Sequence, residues 1–216
     1  MDAKATVKIG AFARGGKSRV PTAGADHDFA ATATVTPVGI LLPDCDELFV
    51  YAVTSKVTSD CLVDCLEQWW TGVCHRFTSV TTLLINLDNG PESQSRRTQF
   101  MQRLVAFAQH SGLIIRLAYY PPYHSKYNPI ERCWGILENH WNGALLDSLD
   151  AVLRFAASMT WKGKAPTVEL VTTVYATGVK LTAAAMRQVE ARLQRLPGLD
   201  KWFVDIVPTP ESVRAP

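Results

Sequence analysis

Leu83-Leu84-Ile85-Asn86-Leu87-Asp88-Asn89-Gly90 and Asn128-Pro129-Ile130-Glu131-Arg132-Cys133-Trp134 are the two segments on which the fold of this chain turns. The first is an almost continuous apolar run, as expected of a strand covered on both faces, and it ends in an acidic turn. From Ser95 to His110, the residues Phe100, Met101, Leu104, Val105, Phe107 and Ala108 define one helix face, and Gly112 is placed to end that helix. Leu113–Ala118 is the next apolar strand. Strand, helix and strand of these lengths predict parallel strands joined by a right-handed crossover. The second segment opens a helix, with Asn128 as N-cap, Pro129 at the first helical position and a buried stripe of Ile130, Cys133, Trp134, Leu137 and Trp141.

Working outward, Thr6–Ile9 alternates polar and apolar as a strand does, and residues 13–28, with Gly15, Gly16 and Pro21, form a loop. Residues 31–42 and 47–54 are two β-branched, apolar strands around the turn Pro43-Asp44-Cys45-Asp46. Thr58 or Ser59 caps a helix whose stripe, Leu62, Val63, Leu66, Trp69 and Trp70, is core. Beyond Trp141, Leu145–Met159 and Ala183–Leu196 are expected to be helical, Trp161–Leu181 less regular, and the tail from Pro208 loose. The expected class is α/β. An antiparallel meander is followed by parallel strands in one mixed sheet with flanking helices, an order that fits a ribonuclease H-like fold among other α/β arrangements. The domain reading is a core over residues 1–142 and a helical C-terminal extension over 143–216, packed on that core.

The composition, 47% hydrophobic and 19% charged over 216 residues, is that of a globular chain. No apolar run approaches the roughly 18–20 residues of a membrane helix, and no signal-peptide pattern opens the chain, so a soluble cytoplasmic protein is expected. A net charge of +2 says little about partners. The five cysteines include no CxxC pair. Cys61 and Cys65, with His75 nearby, are a weak zinc signal, and buried free thiols are the expected state. Asp26-His27-Asp28 lies in a loop with no third ligand in sight, so solvated residues or turn caps are expected there.

Asp88 follows the buried strand directly. In open α/β sheets ligands gather beyond the carboxyl ends of strands, which suits a metal-binding carboxylate, but Asp-Asn-Gly is equally a turn sequence. Glu131, three residues after Asn128, can close a capping box. It also sits beside the buried stripe, at about 100° per residue, where it can point along a sheet edge. Between the two acids lie Arg116, Tyr119, Tyr120, Tyr123, His124, Lys126, Tyr127 and Arg132, preceded by Arg96, Arg97 and Arg103. This set is either a cationic, aromatic surface for phosphates and unpaired bases or a proline-ordered loop packed on the body.

These residues carry a resemblance. Asp88-Asn89-Gly90 followed by Tyr120-Pro121-Pro122-Tyr123-His124-Ser125-Lys126-Tyr127-Asn128-Pro129-Ile130-Glu131-Arg132-Cys133-Trp134 resembles the catalytic domain of bacterial insertion-sequence DDE transposases related to the mariner-like enzymes. The likeness extends to Asp2-Ala3-Lys4, Ile9-Gly10, Asp26-His27-Asp28-Phe29 and Met159-Thr160-Trp161-Lys162-Gly163. It implies a ribonuclease H-like fold and a triad of Asp2, Asp88 and Glu131 as catalytic residues and metal ligands. Two Mg2+ (or Mn2+) ions would be held there for cleavage of DNA at transposon ends and transfer of the freed 3′ hydroxyl to a target. Arg96, Arg97, Tyr123, His124, Lys126 and Arg132 would contact DNA, with a homo-oligomer forming in the DNA complex and nucleoid association when bound. In such enzymes an apolar half-strand and a helix-turn-helix region precede the first aspartate. Here Met1 precedes it, so an incomplete copy is expected. A nuclease without strand transfer and a catalytically dead nucleic-acid-binding remnant are the rival readings.

Overall fold

The longest strand, β3 (Ala33–Leu42), pairs antiparallel with β4 (Glu47–Val53) in a hairpin of seven register pairs, from Thr36↔Val53 to Leu42↔Glu47. The computed structural model describes residues 1–12, 17, 23–24, 31–121 and 127–209. Asp26, His27, Asp28, Tyr123, His124 and Lys126 lie outside them, as does the tail from residue 210. The chain forms two units, Met1–Val57 with Lys126–Tyr175, and Thr58–Ser125 with Ala176–Pro216.

In the first unit, β1 (Asp2–Ala3) and β2 (Val7–Ile9) both lie antiparallel against β3, and β7 (Thr167–Val171) runs parallel to β4. One face of this sheet is closed by α3 (Pro129–Trp141) and α4 (Leu149–Ser158). Val7, Ile9, Val35, Leu48 and Val50 meet the α3 stripe of Ile130, Cys133, Trp134, Leu137 and Trp141 in one core with Val152 and Met159. Ser148 caps α4 by accepting from the Ala151 N–H. Trp161 and Lys164 exchange backbone hydrogen bonds across Lys162 (φ 47°) and Gly163 (φ 83°), a two-residue turn with both central residues left-handed.

Gly39 decides how closely α3 approaches. A Cβ there would stand 2.5 Å from the Trp134 ring and 2.8 Å from Ile130. A glycine inside a strand marks such a close approach, because only the missing side chain leaves room for the helix.

In the second unit, β5 (Thr82–Leu87) and β6 (Ile114–Tyr119) are parallel, joined through α2 (Thr98–Ser111). β9 (Phe203–Ile206) pairs antiparallel with β6, and β8 (Leu193–Arg195) with β9. α1 (Ser59–Val73), capped by the Thr58 side chain, packs on α2, and α2 also meets β6, β9 and α5 (Ala183–Glu190). Gly112, left-handed at φ 71°, ends α2 where the sequence places the stop. Cys61 and Cys65 are buried and form no disulfide. The Cys61 hydrogen bond and burial raise the Cys65 pKa well above its ordinary value.

The mixed α/β class and the parallel β5–β6 crossover follow the sequence reading and are compatible with a ribonuclease H-like fold. Several expectations are corrected. The strands form two sheets, with β1 in one and β5 in the other. β1 has only two residues, and its ladder is with β3. β5 alternates: Leu84 is 52% exposed while Ile85 and Leu87 are buried. The stretch after Trp141 is not simply helical, since it adds β7, β8 and β9, short strands that complete sheets begun elsewhere. Its end is held in part: Thr209 donates from N and Oγ1 to Gln109 Oε1.

Replacing Gly39 with valine is expected to cost about 1–3 kcal/mol, the usual range for overpacking a core. Urea unfolding checks this, and an unchanged midpoint would show that α3 can retreat from β3 freely.

Candidate active site

One tryptophan ties Asp2 to the helix that carries Glu131. Asp2, the first residue of β1, stands opposite Gly39 in the register. Trp134 lies over Gly39, and its indole Nε1 donates to Asp2 Oδ2 at 2.8 Å. Glu131 is three residues before Trp134, hence on the same side of α3 and one turn nearer its N-terminus. A carboxylate in the first turn also benefits from the positive end of the helix dipole. The capping-box reading does not hold for Asn128: it occupies the N-cap, 2% exposed, but its side chain makes no capping hydrogen bond. The backbone of Glu131 bonds back to the Asn128 carbonyl instead.

The same helix side continues the contact with the N-terminal strand. Lys4 Nζ donates to Glu138 Oε1 and lies over the Trp141 ring, while Trp141 Nε1 donates to Glu138 Oε2 at 2.6 Å. Glu131, Trp134, Glu138 and Trp141 thus form a row against the segment that carries Asp2. Sequence reasoning placed both tryptophans in the core but missed their indole N–H groups as the device that holds this row. The signal was available, since a buried tryptophan needs an acceptor for its N–H.

Asp88 belongs to the second unit, directly after β5. It stands at a strand's carboxyl end, two residues before a turn in which the Ser93 and Gln94 N–H groups donate to Gly90 O. Its neighbour across the parallel pair is Tyr120, whose N–H donates to Leu87 O. Burial, and secondarily the Asp88 charge, raise the Tyr120 pKa above its ordinary value.

The cationic residues divide. Arg103 is enclosed by Asp60 (3.0 Å), Asp64 (2.6 Å) and Glu67 (3.4 Å) of α1. Burial alone would lower its pKa, but the bonds to Asp64 and Asp60 hold it above the ordinary value. Arg116 is held by both oxygens of Asp205 (2.8 and 2.6 Å). Both are tied to carboxylates of their own unit. Arg97 pairs with Glu92 at 3.0 Å, whereas Arg96 and Arg132 are exposed. Tyr119 is a core residue donating to Ser93 O at 2.7 Å, and Tyr127 is 61% exposed. Packing therefore wins for Tyr119, and exposure for Tyr127.

For a hard divalent cation the donor chemistry of Asp2, Asp88 and Glu131 fits, since all offer carboxylate oxygens. Among the described residues, no three His, Cys, Asp or Glu side chains stand together as a ready-made metal cluster. No helix among them is long and apolar enough to cross a membrane.

Two measurements test this corner. A double-mutant cycle between Trp134→Phe and Asp2→Ala, read by urea unfolding, is expected to show a coupling of about 1–2 kcal/mol, since hydrogen bonds to charged groups are stronger than neutral ones. A coupling near zero would mean that the indole does not hold the carboxylate. The second is alkaline stability. Cys133, fully buried beside this row, has its thiol pushed by burial from 9.0 up to about 12. A raised folded pKa contributes stability that is whole below the unfolded value and lost as pH climbs toward the folded one. Unfolding free energy should therefore fall between pH 9.0 and about 12, and less steeply in Cys133→Ala. Equal slopes would refute the assignment.

No curated protein and no solved structure matches the chain. A family model described as the Rhodopirellula transposase DDE domain matches residues 1–208. Since that match spans nearly the whole chain, including the Asp2 strand, the Asp88 turn and the Glu131 helix, the chain belongs to this transposase DDE domain family.

Proposed function

We propose that this chain is the catalytic domain of a transposase of the bacterial insertion-sequence, mariner-like kind, performing DNA strand cleavage and strand transfer. Asp2, Asp88 and Glu131 are its acidic triad, and the ribonuclease H-like fold is its framework. The single observation that carries the reading is the Trp134 corner: within a family of DDE domains, the first acid of the expected triad is held by Trp134, and the last lies one turn before Trp134 on the same helix side.

The chemistry is phosphoryl transfer. A water oxygen attacks a phosphodiester phosphorus and the 3′ oxygen leaves as a hydroxyl; that 3′ hydroxyl then attacks a target phosphodiester, displacing the target strand's own 3′ oxygen. Two Mg2+ or Mn2+ ions, when bound, activate the attacking oxygen and stabilise the departing one. The chain's own contribution is to hold the ligands. The Trp134 N–H fixes one oxygen of Asp2 and so orients its carboxylate. α3 presents Glu131 from its first turn, and β5 delivers Asp88 at a strand end. Hydrogen-bonded partners that orient ligands in this way typically support metal affinity by 10–100-fold.

Arg96, Arg97 and Arg132, with Tyr123, His124 and Lys126, form the DNA-contacting set, and a homo-oligomer assembles on the transposon ends. Of the described members, Arg96 and Arg132 are exposed as this requires. Arg97 would have to exchange Glu92 for a phosphate.

With a plasmid carrying the element's ends, Asp2→Asn, Asp88→Asn and Glu131→Gln should each lower metal-dependent cleavage by more than about 100-fold, exceeding a supporting-partner effect. Retention of wild-type cleavage by any of the three would remove that residue from the triad. Joining of pre-cut ends separates transposase from simple nuclease. The triple change of Arg96, Arg97 and Lys126 to alanine should flatten the slope of log affinity against log salt by roughly 0.9 per lost phosphate contact. An unchanged slope would place the contacts elsewhere.

A further inference from the structure

The loop that follows Asp88 has no regular element until α2 begins, yet it is tied along its length. Ser93 Oγ donates to the Asp88 carbonyl (3.2 Å), and Tyr119 donates to the Ser93 carbonyl (2.7 Å). Ser59, at the start of α1, donates to the Glu92 carbonyl (2.7 Å). Two residues on, the attachment passes to the C-terminal segment. Ser95 Oγ donates to the Lys201 carbonyl (2.9 Å), and Arg195 NH2 donates to the Ser95 carbonyl (3.1 Å).

Arg195 is itself held in place. Its guanidinium bonds Glu190 Oε1 (3.0 Å) at the end of α5 and the Asp200 carbonyl (3.1 Å) in the β8–β9 turn. The hairpin that carries it is part of the sheet, since β9 pairs with β6 from Ile115↔Ile206 to Ala118↔Phe203 and the Tyr119 N–H donates to Trp202 O. Ser93 and Ser95 are buried, at 9% and 2% exposure, so their hydroxyls and carbonyls would lose hydrogen bonds that water could not readily replace.

We propose that the β8–β9 hairpin is a brace for the Asp88 loop and that Arg195 is its positioning residue, acting on Asp88 through Ser95 and Ser93. This rests on the reading of Asp88 as a metal ligand. Metal-binding carboxylates must be held to within about 0.5 Å, and a turn alone gives no such constraint. Arginine suits the task because its planar fork reaches several acceptors at once, whereas lysine keeps the charge without the fork.

The test is a Mn2+ titration of the full chain by calorimetry, with thermal unfolding measured beside it, at a temperature where every variant is folded. Arg195→Gln and Ser95→Ala should each weaken Mn2+ binding, Arg195→Gln by about tenfold, and Arg195→Lys should restore it only in part. Asp88→Asn should weaken it more. In the Asp88→Asn background, Arg195→Gln should lower the unfolding temperature as before but weaken Mn2+ binding no further. Wild-type affinity in both Arg195→Gln and Ser95→Ala, with loss in Asp88→Asn, overturns the brace while leaving the site intact. An equal further loss on Arg195→Gln in the Asp88→Asn background also overturns it, because the effect is then general. Wild-type affinity in Asp88→Asn removes the site reading, and the brace with it.

Discussion

The indole N–H of Trp134 bonding to the Asp2 carboxylate, over the bare backbone of Gly39, is the constraint on which the first unit depends. A residue with a side chain at position 39 would push α3 off β3 and carry the indole away from Asp2. With the helix seated, Glu131 is fixed one turn upstream of Trp134, and Glu138 is brought to Lys4 further along. A two-residue strand has little ladder of its own to hold it. Side-chain bonds from α3 supply what the backbone cannot.

Charge is used inward before it is used outward. Arg103 and Arg116 are satisfied by carboxylates of their own unit, and Arg195 by Glu190 and two carbonyls. Ion pairs that are partly shielded from solvent, and that meet several acceptors at once, hold geometry better than isolated surface pairs, which contribute little. The surface able to meet phosphate is therefore narrower than the arginine content of residues 96–132 suggests. Among the described residues of the proposed DNA-contacting set, Arg96 in one unit and Arg132 in the other are exposed. Arg103, Arg116 and Arg195 of the second unit tie α2 to α1, β6 to β9, and the β8–β9 hairpin to the Asp88 loop.

Local signals carried much of the fold. The α2 stripe, the Gly112 stop, the Thr58 cap and the proline that starts α3 all depend on neighbours within a few residues, and all appear where the sequence puts them. The misses are non-local. β8 and β9 are three and four residues long, too short for a periodic pattern, and exist because β6 offers them an edge. β7 follows from pairing with β4, more than a hundred residues earlier. Arg103 looked cationic in sequence because its acidic partners lie on a different helix. For the site, Glu131 is legible from its place in the first turn of α3 and Asp2 only from the family likeness, while the tryptophan that holds Asp2 reads as packing alone. A side chain that both packs and donates a hydrogen bond shows only the first role in a periodicity.

The central claim is that Asp2, Asp88 and Glu131 serve one pair of metal ions. Anomalous diffraction from crystals of the chain soaked in Mn2+ tests it most directly. The account predicts two manganese peaks at about 2.1 Å from carboxylate oxygens of these three residues, the spacing expected of small hard cations. Peaks bound elsewhere, or a pair of ions that leaves Asp88 out, would contradict it.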